Sequence, residues 1–254
     1  MAHGLDGKVA IVTGPGGFGA GYAHALADAG AHVVVADVED SGAAIADSLR
    51  AAGHEPFFVQ TDVTSEESAK AMAAAVLDRH GGADVLVNNA AMFQGLPLPP
   101  LDPVEEMPLE RWHQVLDMNL TSVLVVTRSV IPLMRARGGG SVVNQTSPAI
   151  WSNNPGRIHY AVSKGAVLPL TRSLARELGP EHIRVNAIAP GFTTAGDPSE
   201  IPAEMVERVT EPMCIKHVGT PADLVGPMLF LAGDMSGWMT GQVLVVDGGA
   251  HMLG

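Results

Sequence analysis

Short apolar runs rich in β-branched residues alternate along this chain with longer, alanine-rich amphipathic segments. Lys8–Thr13 (KVAIVT) and His32–Ala36 (HVVVA, closing on Asp37) carry almost no polar positions. Such runs are the pattern of strands buried on both faces of a parallel sheet. Pro56–Thr61, Val85–Asn88, Ser141–Thr146, Ile183–Ile188 and Gln242–Val246 continue the series. Between them the 3.6-residue period predicts helices from the glycines after Thr13 to a stop near Gly30, then over about 40–52, 65–80, 109–118, 119–137 and 158–178. A last helix, capped by Thr220, is predicted to end near Leu231. Strand–helix alternation of this kind implies right-handed βαβ units.

Two segments interrupt the alternation. Met92–Pro108 is rich in Pro and Leu and reads as a surface excursion. Pro190–His217, with a short helical pattern at about 202–210, has the profile of a substrate lid spanning about 190–218. Pro169 lies inside the predicted 158–178 helix, where it removes a backbone bond and kinks the axis. There are no repeats or charge blocks, and 254 residues suit one large domain better than two. One domain over 1–254 is therefore expected.

Composition adds three constraints. Aromatics make up only 4% of the chain, so the core must be aliphatic. The formal charge of −12 argues against nucleic acid as a partner and, more weakly, against an acidic carrier protein. A single cysteine, Cys214, excludes an intrachain disulfide and fits a reducing compartment. The N-terminus lacks a charged head followed by a long apolar run, and no segment reaches membrane-spanning length by pattern. A cytoplasmic protein with no membrane partner is expected. The histidines are scattered, and no metal is expected.

Candidate chemistry begins at the first strand's end. Gly14, Gly16 and Gly19 satisfy G-x-G-x-x-G, with Gly17 and Phe18 between them and an acid, Asp37, about twenty positions on. Glycines let a pyrophosphate approach the backbone and rest on a helix N-terminus. Asp37 would accept hydrogen bonds from an adenosine ribose and repel a 2′-phosphate. No Arg or Lys lies in 36–46 to receive one, so NAD is expected over NADP. The predicted fold class is accordingly α/β: a single Rossmann-type, doubly wound parallel sheet of about seven strands with helices on both faces.

Tyr160 and Lys164 are four residues apart in a predicted helix, hence on one face. A neighbouring ammonium favours the phenolate and would lower the tyrosine's pKa, making the pair a proton donor or acceptor. Ser147 stands thirteen residues before the tyrosine.

Taken in order, Thr13–Gly19, Asp62-Val63, Asn88-Asn89-Ala90, Asn119 in NLTS, Ser147, Tyr160 with Lys164, Pro190-Gly191 and Asp247-Gly248-Gly249 give a specific pattern. The chain resembles the short-chain dehydrogenase/reductase family, in its short single-domain branch, over nearly its whole length. The resemblance implies Tyr160 as general acid/base, and Lys164 as the residue that depresses its pKa and binds the nicotinamide ribose. It implies Ser147 as donor to the substrate carbonyl and Asn119 as holder of a proton-relay water. Asp62 and Val63 would contact adenine, Asn89 and Ala90 would wall the adenosine ribose, and Pro190, Gly191 and either Thr193 or Thr194 would approach the nicotinamide. It also implies a homo-oligomer, tetramer or dimer, formed through the helices at about 119–137 and 158–178. The glycine loop is one residue tighter than that branch's usual TG-x-x-x-G-x-G, and Ala91 and Ala195 stand where glycine and threonine are usual.

The expected activity is NAD-dependent interconversion of a small, mostly apolar secondary alcohol and its ketone. Pocket candidates are Met92–Gln94, Ala149–Trp151, Asn153, His159, Phe192 and Met213. Cys214 reads as packing and His159 as structural. The tight loop also suggests an epimerase or dehydratase of the extended branch, but too little chain follows the sixth strand for a nucleotide-sugar domain. A catalytically silent NAD-binding regulator would be expected to lack the complete Asn119/Ser147/Tyr160/Lys164 set.

Overall fold

The computed structural model describes residues 3–38, 40–92, 103–152 and 157–252. Seven strands, β1 (Val9–Thr13), β2 (His32–Asp37), β3 (Phe57–Gln60), β4 (Val85–Asn88), β5 (Gly140–Gln145), β6 (Ile183–Pro190) and β7 (Val243–Val246), form one sheet in the order β3-β2-β1-β4-β5-β6-β7. Every pairing is parallel. The order reverses between β1 and β4, which opens a crevice beyond their carboxyl ends.

Helices cover both faces. On one lie α1 (Phe18–Asp28), α2 (Asp40–Ala51) and α9 (Pro221–Ala232); on the other lie α3 (Glu66–His80), α5 (Ser122–Arg137) and α7 (Ile158–Leu178). Alternate strand residues feed the two cores. Ile11, Leu86 and Val142 pack with Met72, Val130 and Leu178, whereas Val12, Val87 and Val143 pack with Tyr22, Leu26 and Met228. Three smaller helices complete the set: α4 (Leu109–Leu116), α6 (Ala149–Ser152) and α8 (Ala203–Thr210). The last helix begins as expected, with the Asp223 carboxylate accepting from the Thr220 N–H at 2.7 Å and its hydroxyl at 2.9 Å.

The separate helices expected at 109–118 and 119–137 are in fact one helical stretch, Leu109–Arg137, joined through a π turn at Asp117–Thr121. There the Ser122 N–H reaches five residues back to the Asp117 carbonyl, and the Ser122 hydroxyl takes the bypassed Met118 carbonyl at 2.5 Å. The fused stretch is long and apolar enough to cross a membrane by length and composition, contrary to the sequence reading. Its apolar face is instead packed in the core, where Val126, Val130 and Met134 meet α3 and the sheet.

A buried polar ladder crosses the centre of this layer. Asn88 and Asn144 are register partners on β4 and β5, each two residues beyond a core-facing aliphatic. Asn88 Nδ2 donates to Asn144 Oδ1 (2.8 Å) and Thr127 Oγ1 (3.0 Å), and Asn144 Nδ2 donates to Thr171 Oγ1 (3.0 Å). The ladder ties α5 and α7 to the sheet in one register. Asn144→Ala should lower unfolding free energy by about 2–3 kcal/mol, since it removes two buried bonds and strands their partners. Urea titration would detect this, and an unchanged midpoint would mean the ladder contributes nothing.

Candidate active site

The predicted site residues lie at the carboxyl edge of the sheet, at the ends of β1 to β6, on the loops leaving them and on the helices that follow. The glycine loop turns against the loop after β4. A Cβ on Gly14 (φ +56°) would lie 2.6 Å from Ala90 Cα, and one on Gly19 would lie 2.6 Å from Asn89 Nδ2. Only hydrogen fits at either position. Asn89 Nδ2 donates to the Gly14 carbonyl, while Thr13 Oγ1 accepts from the Asn89 and Ala90 N–H groups at 3.2 and 3.3 Å. Over Gly16 and Gly17 the space is open.

Helix α1 starts after Gly17 with no side-chain cap and no acid in its first turn. By contrast α3 is capped by Ser65 and carries Glu66 and Glu67 in its first turn. Among the described residues, the positive end of the α1 dipole thus has neither a side-chain cap nor a first-turn acid. That helix end fits a pyrophosphate. Asn89 Oδ1 and Gln145 Oε1 are buried acceptors with no hydrogen-bond partner among the described residues, suited to ribose or amide donors.

Asp37 closes β2 with Ser41 Oγ at 3.4 Å from its carboxylate. Asp62 Oδ1 accepts from the N–H and hydroxyl of Thr64 at 2.9 and 2.7 Å, leaving its second oxygen at an exposed position. Val63 is buried in the core beneath. Gly191 follows Pro190 and donates its N–H to Val246 at 2.9 Å. Thr193 Oγ1 donates to the Gly191 carbonyl at 3.1 Å, and Thr194 Oγ1 accepts from the Gly196 N–H at 3.1 Å, so both hydroxyls are engaged locally.

Asn119 sits at the centre of the π turn and is fully buried. Its Oδ1 accepts from the Met92 N–H at 2.7 Å, and its Nδ2 donates to Ser163 Oγ at 3.1 Å. Ser163 Oγ in turn donates to the Tyr160 carbonyl at 2.8 Å. The asparagine therefore couples the exit of β4 to the tyrosine's helix turn. Ser147 stands close enough to Tyr160 for its hydroxyl to favour the phenolate. Met92, Ala149 and Val115 pack around the tyrosine.

The electrostatics differ from the sequence expectation. Burial is the largest influence on Tyr160 and pushes its pKa up; the Ser147 hydrogen bond and the more distant Arg157 oppose it. Lys164 is not among the influences. Its Nζ points to the sheet and donates to the Gln145 carbonyl at 3.0 Å, while Thr146 Oγ1 holds the Lys164 carbonyl at 2.6 Å. Burial of this ammonium lowers its pKa to about 8. Helical spacing put the two side chains on one face but could not say where the long lysine stem would end.

His159 is buried and its pKa is lowered, first by burial and then by Arg111 and Arg157. Met213 is buried and Phe192 is partly exposed. Phe93, Gln94 and Asn153 lie outside the described residues. Gln145, Thr146 and Ser163 support the site and were not singled out from sequence, where isolated hydroxyl and amide residues carry no periodic signal. Among the described residues no group of three or more His, Cys, Asp or Glu side chains could hold a metal ion.

Known proteins resemble the chain in sequence and in fold. A family model described as enoyl-(acyl carrier protein) reductase matches residues 12–251. An uncharacterised oxidoreductase of Mycobacterium tuberculosis is 45% identical over 248 residues, covering 96% of this chain and 98% of that protein. The 7α-hydroxysteroid dehydrogenase of Escherichia coli K12 is 36% identical over 248 residues, covering 96% and 94%. A solved 7α-hydroxysteroid dehydrogenase, complexed with NADH and 7-oxo glycochenodeoxycholic acid, superposes with a TM-score of 0.88 at 35% identity, covering 98% and 96%.

The buried lysine has a consequence for stability. Its folded pKa, about 8, lies below the usual 10.5, so above pH 8 the unfolded chain binds the extra proton and stability rises with pH. Between about pH 8 and 10 the ligand-free wild type should gain about 2 kcal/mol relative to Lys164→Met. Denaturant titrations of both proteins across that range would measure the difference; parallel pH profiles would contradict it.

Proposed function

The chain belongs to the short-chain dehydrogenase/reductase family of oxidoreductases, and we propose that it interconverts a secondary alcohol and a ketone on a small, mostly apolar substrate with NAD as cofactor. The observation that carries this reading is the Ser147–Tyr160 hydroxyl pair, with Lys164 one turn on, at the same sheet edge as an uncapped helix N-terminus. The glycine loop and α1 would hold the pyrophosphate, Asp37 the adenosine ribose, Asp62 and Val63 the adenine side, and Asn89 and Ala90 the neighbouring wall. Pro190, Gly191 and Thr193 would flank the nicotinamide. NAD, when bound, supplies the hydride acceptor, and its reduced form the donor.

The protein's own part is positioning and proton transfer. Ser147 donates to the substrate oxygen and holds it at the Tyr160 hydroxyl. Tyr160 gives that oxygen a proton in reduction and takes one in oxidation. Burial favours the neutral phenol, so the ready form at neutral pH is the acid, which serves ketone reduction. Lys164, with one of its three N–H donors on Gln145, can offer the others to the nicotinamide ribose, while Asn119 keeps the tyrosine's turn in place. The solved relative that holds NADH and a 7-oxo acid supports both the cofactor and the carbonyl chemistry. Residues 1–254 form one NAD-binding domain in this reading, with 190–218 as its lid, in a cytoplasmic protein. Leu124, Ile158 and Val162 are exposed apolar positions on α5 and α7 and favour pairing of copies through those helices, as a dimer or tetramer. The family model's description favours a second substrate class, acyl thioesters, against which the net charge of −12 weighs if the acyl carrier is itself acidic.

A screen of alcohols, ketones and acyl thioesters with NAD(H) and NADP(H), followed by nicotinamide absorbance, tests the proposal. Tyr160→Phe should lower kcat by at least about 10²-fold; activity near wild type would sink the mechanism. NADH should be preferred over NADPH by about tenfold or more in kcat/KM, and Asp37→Ser should narrow the ratio. Alcohol oxidation should accelerate with rising pH as the buried phenol ionises, and a pH-independent oxidation rate would contradict Tyr160 as the base.

A further inference from the structure

The turn after β7 reaches back to the loop that carries Ser147. Asp247, whose side chain is 4% exposed, spends both carboxylate oxygens on this turn. Oδ1 accepts from the Gly249 N–H at 3.0 Å, and Oδ2 accepts from the His251 N–H at 3.0 Å and from the His251 ring at 2.8 Å. An ionised carboxylate only accepts, so Nδ1 carries the proton and Nε2 is turned outward. Nε2 lies 3.0 Å from Ser152 Oγ, and the ring tilts against Trp151 with centroids 6.2 Å apart. A serine hydroxyl both donates and accepts. It donates to His251 Nε2, and Oγ also lies 3.4 Å from the Pro148 carbonyl.

The segment held in this way needs an anchor. Helix α6 is a single turn of four residues, too short to be stable alone. Its start packs on α7 and is hydrogen-bonded to Ser147, by the Ala149 N–H on Ser147 Oγ at 3.2 Å and the Ile150 N–H on the Ser147 carbonyl at 3.4 Å. The same C-terminal turn fixes the end of the 190–218 segment, since the Gly248 carbonyl accepts from the Cys214 and Ile215 N–H groups at 2.9 Å each.

We propose that Asp247, His251 and Ser152 form a latch that holds the Ser147 loop in register with Tyr160, which makes His251 a positioning residue for the reaction. Its catalytic consequence rests on the oxidoreductase reading above; its structural consequence does not. The test uses the full-length protein with His251→Ala, Ser152→Ala, the double variant and His251→Gln. Amide hydrogen exchange of residues 147–152 should quicken in both single alanine variants and no further in the double, while that of β5 stays unchanged. For any ketone the wild type reduces, each alanine variant should lose about tenfold or more in kcat, because a displaced Ser147 misaligns the carbonyl. The Kd for NADH alone should move less than about twofold, since the latch touches none of the glycine-loop residues. His251→Gln, which keeps a side chain able to bond Ser152, should recover part of the loss. Unchanged exchange at 147–152, or a double variant whose loss is the product of the two singles, would overturn the latch. If the wild type reduces no ketone and oxidises no alcohol, the oxidoreductase reading fails, and the exchange measurements still decide the latch.

Discussion

Two asparagines in the middle of an aliphatic sheet set the geometry on which the site depends. Asn88 and Asn144 share a hydrogen bond across β4 and β5, and each reaches outward to a threonine on a covering helix, Thr127 on α5 and Thr171 on α7. Aliphatic packing alone tolerates small slides of a helix over a sheet, because it is not directional. A buried amide is directional, and a helix shifted by half a turn would leave it unsatisfied at a cost of about 1–3 kcal/mol. The two helices so registered are the ones that bring Asn119 and the Tyr160/Lys164 pair to the sheet's carboxyl edge.

At that edge the backbone and the side chains divide the work. Between β1 and β4 the chain removes side chains, so that Gly14 and Gly19 can close on Ala90 and Asn89. Helix α1 starts without a side-chain cap, whereas α3 and α9 are capped by Ser65 and by the Thr220/Asp223 pair. Beyond β5 the opposite holds. Ser147, Tyr160 and Lys164 are polar groups in a largely buried setting, where hydrogen bonds are directional and costly to break. Burial there raises Tyr160 and lowers Lys164, so both groups are pushed toward their neutral forms. A tyrosine and a lysine whose charged states are both disfavoured respond strongly to any ligand that supplies hydrogen-bond partners, as cofactor and substrate oxygens would.

Much of this was legible in the chain. The seven apolar runs and the helices between them follow from periodicity, and the parallel order from the alternation. The glycine loop, Asp37 and the Tyr160/Lys164 spacing are local patterns, and local patterns survive in one dimension. The π turn was not legible as such, because the break in period near 118–119 does not tell a loop between two helices from a single wide turn inside one helix over Leu109–Arg137. Asn119 could be singled out by its motif, but not its bonds to Met92 and Ser163, which are partners 27 and 44 residues away.

What the sequence determined by itself is therefore the layer architecture and the choice of candidate site residues, since both depend on residue type and short-range spacing. What only the tertiary structure decided is the state and support of those groups. Lys164 turned to the Gln145 carbonyl and not to the phenol, because a long flexible stem ends wherever the fold leaves a buried acceptor. Tyr160 moved up in pKa and not down, because desolvation is set by everything packed around it. His251 met Ser152 across 99 residues of chain, a contact that exists only once β7 has docked beside β6.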